Sequence, residues 1–359
     1  VIGPIGHIRA FAAFASFVSI VALAHVLWIH PLGWIFMRLV AGFAMAGLFT
    51  VTESWLNASA TNANRGRVLS FYMITNYAAA GCGQLLIPLG DPTGFQLFSV
   101  ASIIFSLALI PVLLTRAVAP TPDVTERASF KTLLAISPLG LFASFAGGLI
   151  TAAFHGIGPA YASDVGLNLQ QTSVFMAVTI FAGLLLQYPV GWASDRYGRR
   201  PVIGLVSGAA AASSLMIVVG SGDNGLMFYA GAAAWGATAF TLYSLSAAHT
   251  NDQAPPGQAM QVATALIVSY GVGAVIGPIV ASWLMGQYGP DSLFTYSTVV
   301  AVMLALVAFW RGITMPKLTL RRRRYIPTGT GTSPQRLYTS VRNQRDRDRE
   351  RLTKNLDGL

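Results

Sequence analysis

Ten apolar stretches, each about as long as a bilayer is thick, limit what this chain can fold into. They cover residues 10–29, 34–56, 68–89, 95–116, 134–156, 172–193, 201–220, 225–248, 261–284 and 291–311. A helix rises about 1.5 Å per residue, so roughly 20 apolar residues cross a hydrocarbon core of about 30 Å. Inside that core the backbone finds no water, and only helices or closed barrels satisfy its N–H and C=O groups. Barrel strands are about ten residues long and alternate in polarity, whereas these runs are longer and uniformly apolar. The expectation is an all-α membrane protein with ten transmembrane helices. Composition agrees: 54% of residues are hydrophobic and 10% charged. Soluble domains carry about 25% charged residues, and a tenth cannot cover a soluble surface. A mean hydropathy of +0.58 also excludes disorder for most of the chain.

The formal net charge of +10 would point to nucleic acid in a soluble protein, so its location matters. From Arg311 to Leu359 there are 13 Lys/Arg and 4 Asp/Glu, a net +9, and residues 1–310 hold the other 10 basic and 9 acidic side chains. Links between the stretches fall into two alternating sets. One holds Arg9, Arg65, Arg67, Arg116, Arg127, Lys131, Arg196, Arg199, Arg200 and the tail; the other, near Pro31, Asp91, Asp164, Asp223 and Asp291, holds no Lys or Arg. Positive links stay inside, which places the first set and the C-terminus in the cytoplasm of a bacterial-type inner (plasma) membrane protein. The tail, with Arg321 to Arg324 and an Arg/Asp-rich end, has the anionic inner leaflet as its expected partner. No aromatic interleaving or recognition module accompanies it, so no nucleic acid partner is expected. The single cysteine, Cys82, excludes a disulfide within the chain and any Cys-based metal site.

Small residues four apart, at Gly42/Ala46, Gly204/Gly208 and Gly273/Gly277, suit close helix packing in lipid. An internal repeat is visible at a steady offset: Gly6 with Gly198 at 192 residues, Phe49-Thr50 with Phe240-Thr241 at 191, and Tyr77 with Tyr270 at 193. Repeats of this kind are common in transporters. The boundaries that follow are a half-bundle over 1–116, a linker over 117–133, a six-helix half over 134–312 and a basic tail over 313–359. Two stretches precede Gly198 in the second half, and only five residues precede Gly6. The expectation is that about two helices, on the order of 60 residues, are missing from the N-terminal half of a twelve-helix parent.

The strongest local signal is Gly191-Trp192-Ala193-Ser194-Asp195-Arg196-Tyr197-Gly198-Arg199-Arg200, on a basic link. It resembles the Gly-x-x-x-Asp-Arg-x-Gly-Arg-Arg signature of the major facilitator superfamily (MFS), in the position between the eighth and ninth helices of that family. The resemblance covers about residues 1–312. It implies an MFS-type bundle of two pseudo-symmetric halves that binds a small solute near the midplane. Gly191, Asp195, Arg196, Gly198, Arg199 and Arg200 would form the loop that latches one conformation. Physically, Gly191 allows close helix approach, Asp195 can cap a helix start or pair with an Arg, and the arginines hold the link inside. Arg38-Leu39-Val40-Ala41-Gly42 resembles the family's fourth-helix pattern, which implies a part in proton coupling for Arg38 and Gly42. An Arg within a membrane run marks function by default, and snorkelling to the nearby interface is the alternative. Glu53 either carries a coupled proton or binds a cationic group, or it is a solvated helix end. It lies 15 residues from Arg38, roughly 22 Å along a helix, too far to pair. The first-half loop survives only as Gly6-His7-Ile8-Arg9. The drug-exporter pattern Gly-x-x-x-Gly-Pro is absent from 81–88 and occurs instead at Gly273–Pro278.

Polar side chains at membrane depth point to a substrate path. Asn76, Gln84, His155, Gln187, Tyr243 and Tyr270 are the candidates, with His25 on the first helix. Each alone also fits a helix–helix hydrogen bond. Together they carry little fixed charge and suit a neutral or amphipathic solute. His249-Thr250-Asn251-Asp252 reads as a helix end, and no metal is expected. No Gly-x-x-x-x-Gly-Lys-Ser/Thr loop is present, so no cofactor or direct ATP drive is expected. No nucleophile–base set converges, so the chain is not read as an enzyme. The function expected is secondary active transport by alternating access, with protons as a coupling partner. The alternative is a non-transporting membrane protein, a sensor or an inert truncated transporter.

Overall fold

The computed structural model describes residues 6–59, 65–91, 93–114, 137–222, 225–254 and 259–314. Among them every regular element is helical. The order is α1 (His7–Leu27), α2 (Pro31–Ser59), α3 (Arg65–Leu86, followed by a 3₁₀ turn Ile87–Leu89), α4 (Gln96–Leu114), α5 (Pro138–Asp164), α6 (Leu169–Tyr197), α7 (Arg199–Gly220), α8 (Leu226–Ala239), α9 (Leu242–Gln253), α10 (Ala259–Tyr288) and α11 (Ser292–Thr314). Each predicted span falls on one of these helices, except 225–248, which is split between α8 and α9. Among the described residues eight helices, α1, α2, α4, α5, α6, α7, α10 and α11, are long and apolar enough to cross a membrane. Large apolar side chains such as Leu185, Leu205, Val219, Phe309 and Ile313 are exposed. A soluble monomer rarely shows so much apolar surface, and lipid accepts it.

Local chemistry explains several helix ends. Pro138 opens α5, where its missing N–H costs nothing. A capping box opens α6: Gln171 N–H donates to Asn168 Oδ1 and Asn168 N–H to Gln171 Oε1, both at 2.9 Å. Gly198, at φ 103°, ends α6 and begins α7, a conformation that L side chains rarely adopt.

The helices form two compact units. The first contains α1, α2 and α4, with α1 packed on both others. Ala15, Val18, Ala44 and Leu48 form its core, and the Ser19 hydroxyl meets those of Ser102 (2.7 Å) and Ser106 (3.0 Å) across α1 and α4. The second unit contains α5 to α11 together with residues 70–85 of α3, which the repeat assigns to the first half. Its core holds Phe154, Tyr161, Phe175, Phe228, Trp235 and Phe294. The tightest crossing is α5 on α10. A Cβ on Gly148 would overlap the Tyr270 carbonyl, one on Gly273 the Phe145 carbonyl, and one on Gly277 the Leu149 carbonyl. Two reciprocal bonds lock this crossing: Ser144 Oγ donates to Leu266 O (2.8 Å) and Ser269 Oγ to Leu141 O (3.0 Å). The other small-residue pairs pack differently. Gly204 is in ordinary contact with Ala308, while a Cβ on Gly42 or Gly208 would meet nothing within 4 Å.

Candidate functional site

A polar, aromatic centre sits in the second unit where α8 gives way to α9. At the interruption side chains take up positions of the helix hydrogen-bond ladder, an arrangement that accompanies kinks and breaks. Gln187 Nε2, on α6, donates to the Phe240 carbonyl at 3.1 Å, and the Thr241 hydroxyl donates to the Thr238 carbonyl at 2.7 Å. Gln187 is 6% exposed. Its Nε2 also lies 3.5 Å from the Tyr77 hydroxyl, and the Tyr77 ring is 6.3 Å from that of Phe240. His155, on α5, lies with its ring 5.2 Å from Phe240 and 5.6 Å from Phe154, and it is exposed. Its Nδ1 is 2.8 Å from the Thr151 carbonyl. A carbonyl only accepts, so Nδ1 carries the proton and Nε2 of the neutral ring is the acceptor. The Thr151 hydroxyl donates to Gly147 O (2.6 Å) and therefore accepts from the Tyr270 hydroxyl (2.8 Å). Tyr270 in turn packs edge-on against Tyr243 at 5.3 Å.

Of the six substrate-path residues expected from sequence, this centre gathers His155, Gln187, Tyr243 and Tyr270. Asn76 and Gln84 are half-buried on α3, and no hydrogen bond between described residues ties them to the centre. Sequence reading missed Thr151, a plain helix residue by pattern. It noted Tyr77 and Phe240 only as repeat markers. Gln187→Leu leaves the Phe240 carbonyl buried without its donor, and the expected cost is about 1–3 kcal/mol. Thermal unfolding of the purified variant checks this; an unchanged midpoint would mean that another donor takes over.

The charged link forms a second cluster at the junction of α6, α7 and α9. Arg199 is at its middle, with a side chain 7% exposed. It pairs with Asp195 one turn earlier (2.5 Å), donates through Nε to Asp252 Oδ2 at the end of α9 (2.8 Å), and reaches Ser194 Oγ (2.5 Å). Asp195 lies within α6, and the N-cap of α7 is Gly198, with no side-chain cap. Asp252, which the sequence offered only as part of a helix end, is thus a main partner of the signature. Gly191 is buried one turn before Asp195. The Arg196 guanidinium lies 5.5 Å over the Trp192 ring and 5.9 Å over Tyr197. Arg200 Nη1 donates to the Arg311 carbonyl at 3.5 Å, joining α7 to α11.

His249, just past the predicted span 225–248, is 4% exposed and accepts from Gln253 Nε2 at 2.7 Å. Burial, and then the guanidiniums of Arg200, Arg199 and Arg311, push its imidazole down from 6.5 to about 3. The sign follows: the unfolded chain binds this proton first, so stability is intact above pH 6.5 and falls as the pH drops toward 3, by about 1 kcal/mol per unit. Wild type is expected to lose more thermal stability between pH 7.5 and 5 than His249→Gln. Parallel losses in the two proteins would remove His249 from the account.

The first unit holds the remaining candidates. Arg38 and Gly42 lie one turn apart on α2, both exposed. Glu53 is 1% exposed, so its side chain is not solvated. Next to it, Ser54 Oγ lies 2.9 Å from Nε2 of His7, the residue at the repeat position of Arg199. Both units therefore tie the start of one helix to a polar group on the next span, by a neutral contact in the first unit and a charged one in the second. His25 is buried, its Nδ1 2.6 Å from Val21 O, beside the rings of Trp34 and Phe98. Among the described residues no group of three or more His, Cys, Asp or Glu could hold a metal ion.

A helical bundle with this loop chemistry defines a class, and comparison with known proteins agrees. The sequence model of the Major Facilitator Superfamily matches residues 4–262 and again 140–345, and the chain belongs to that family. It is an integral membrane protein of the transporter type. Among its relatives is the uncharacterized MFS-type transporter YcaD of Escherichia coli, 30% identical over 281 residues, which cover 77% of this chain and 70% of the relative. YcaD of Escherichia fergusonii is 27% identical over 278 residues, with the same coverage. Two solved structures share the fold: a bacterial homolog of the human lysosomal transporter Spinster in an inward-facing, unoccupied conformation (TM-score 0.61, 15% identity, 84% of this chain and 81% of the other), and the fucose:proton symporter FucP of E. coli (TM-score 0.52, 13% identity, 84% and 83%).

Proposed function

We propose that the chain is a secondary active transporter that carries a small neutral or amphipathic solute across a bacterial-type inner membrane. Two half-bundles, 1–116 and 134–312, would expose the solute alternately to each side, joined by the linker 117–133. The observation that carries this reading is the centre at the α8–α9 break. It combines an amide, an imidazole and three phenols with aromatic walls, and no Lys, Arg, Asp or Glu is among these residues. A phosphate or dicarboxylate would need fixed cations there.

The Arg199 cluster is the proposed latch, since ion pairs between helix ends can close one conformation and release another. Arg38, Gly42 and Glu53 are the proposed coupling residues. FucP, which shares the fold, is a proton symporter, and the burial of Glu53 suits a proton carrier better than a solvated helix end. Lys and Arg in alternate links support a cytoplasmic C-terminus, with the basic tail on the anionic leaflet.

The test is reconstitution of the full chain in proteoliposomes with a panel of labelled neutral and amphipathic solutes. At least one solute is expected to move faster than through empty liposomes. With an inward proton gradient that flux rises, and Arg38→Ala and Glu53→Ala remove the rise. No flux in either direction for the whole panel would favour a non-transporting role.

A further inference from the structure

We propose that the solute bound at the α8–α9 break is an aromatic molecule bearing an uncharged N–H or O–H group, and that His155 Nε2 is the atom that accepts this hydrogen. This rests on reading the centre as the solute path. Three features of the site support it.

The tautomer comes first. The Thr151 carbonyl, 2.8 Å away, keeps the proton on Nδ1, so the other ring nitrogen presents a lone pair. No hydrogen bond between described residues reaches that Nε2, and the side chain is exposed. The neighbouring polar groups are engaged in the fold: Gln187 Nε2 on the Phe240 carbonyl and the Tyr270 hydroxyl on Thr151. Second, the walls are aromatic. Phe154 and Phe240, 1% and 8% exposed, hold the imidazole from the core side, and the half-buried Tyr77 beside Phe240 is the ring open to a partner. Flat rings accept offset-stacked or edge-on partners at these spacings. Third, a lone pair in this setting selects on charge and on hydrogen content. An anion would face it with repulsion, and a methylated analogue would displace its water and leave it unpaired. A site built around one hydrogen bond therefore discriminates strongly against molecules that lack the hydrogen.

Matched probes test this directly. Binding of indole against 1-methylindole, and of phenol against anisole, is measured by equilibrium dialysis with the full chain in nanodiscs, after subtraction of empty nanodiscs. Indole and phenol are expected to bind roughly tenfold tighter than their methylated partners. His155→Leu should erase that ratio, and His155→Gln, which keeps an acceptor, should restore part of it. Equal affinity within each pair, a preference that persists in His155→Leu, or no binding of any of the four overturns the proposal. The wild-type ratio decides even if His155→Leu fails to fold. A second measurement separates this failure from failure of the solute path. In a Cys82→Ser background, His155→Cys is treated with a membrane-impermeant maleimide in sealed and opened vesicles. Labelling without a probe preference keeps the path and overturns the solute class; no labelling from either side overturns both.

Discussion

Leucine in place of Gly277 is expected to disrupt the second unit. The added Cβ meets the carbonyl of Leu149, and the same helix already approaches α5 at Gly273, where the obstacle is the Phe145 carbonyl. Backbone cannot rotate away as a side-chain tip can, so α5 and α10 must separate. Separation strains the Ser144–Leu266 and Ser269–Leu141 bonds that bracket the crossing. Overpacking a core costs typically 1–3 kcal/mol, and a backbone obstacle puts Gly277→Leu at about 3 kcal/mol or more. For a unit of this size that is a fall of roughly 6 °C or more in the unfolding midpoint. Gly286→Leu, on the same helix where a Cβ meets nothing within 4 Å, is the control and should unfold near wild type. Equal midpoints for the two variants would mean that the helices do not approach this closely.

The second large effect belongs to Arg199. Its guanidinium serves two carboxylates and a serine hydroxyl at once, and Arg199→Leu leaves Asp195 and Asp252 close together with their shared cation removed. Deleting one partner of a buried pair costs about 3–5 kcal/mol, and with Asp195 30% and Asp252 14% exposed the expected loss is at the low end, about 3 kcal/mol. Lysine keeps the charge but not the planar fork, and Arg199→Lys should fall between wild type and leucine. Arg196→Leu is the internal comparison. That side chain is exposed over Trp192 and Tyr197, and about 1 kcal/mol or less is expected. A double-mutant cycle of Arg199→Leu with Asp252→Asn should show a coupling above about 1 kcal/mol. If Arg199→Leu unfolds no earlier than Arg196→Leu, the cluster does not hold the helix ends together.

Much of the fold is legible in the sequence. Transfer of apolar surface into lipid depends on the residues of one segment, so the stretches and their helical state could be read locally. The break in the span 225–248 could not. It coincides with Gln187, 53 residues away, donating to a carbonyl inside an otherwise uniform apolar run. The small-residue pairs make the same point. Gly42/Ala46, Gly204/Gly208 and Gly273/Gly277 look alike in sequence, and a Cβ on a glycine of these pairs would overlap opposing backbone only at the last. Spacing says that a close approach is allowed there, and only the neighbouring helix decides whether it occurs.

The candidate site divides in the same way. The sequence by itself determined the family through the signature around Asp195 and Arg199, and it named the polar side chains within the apolar runs, because both are properties of short segments. The tertiary structure alone decided that Asp252 is the distant partner of Arg199 and that Glu53 is buried. It also decided that His155, Gln187, Tyr243 and Tyr270 share one centre while Asn76 and Gln84 lie outside its hydrogen bonds. Those outcomes depend on helix rotation and crossing, which depend on contacts between residues far apart in the chain.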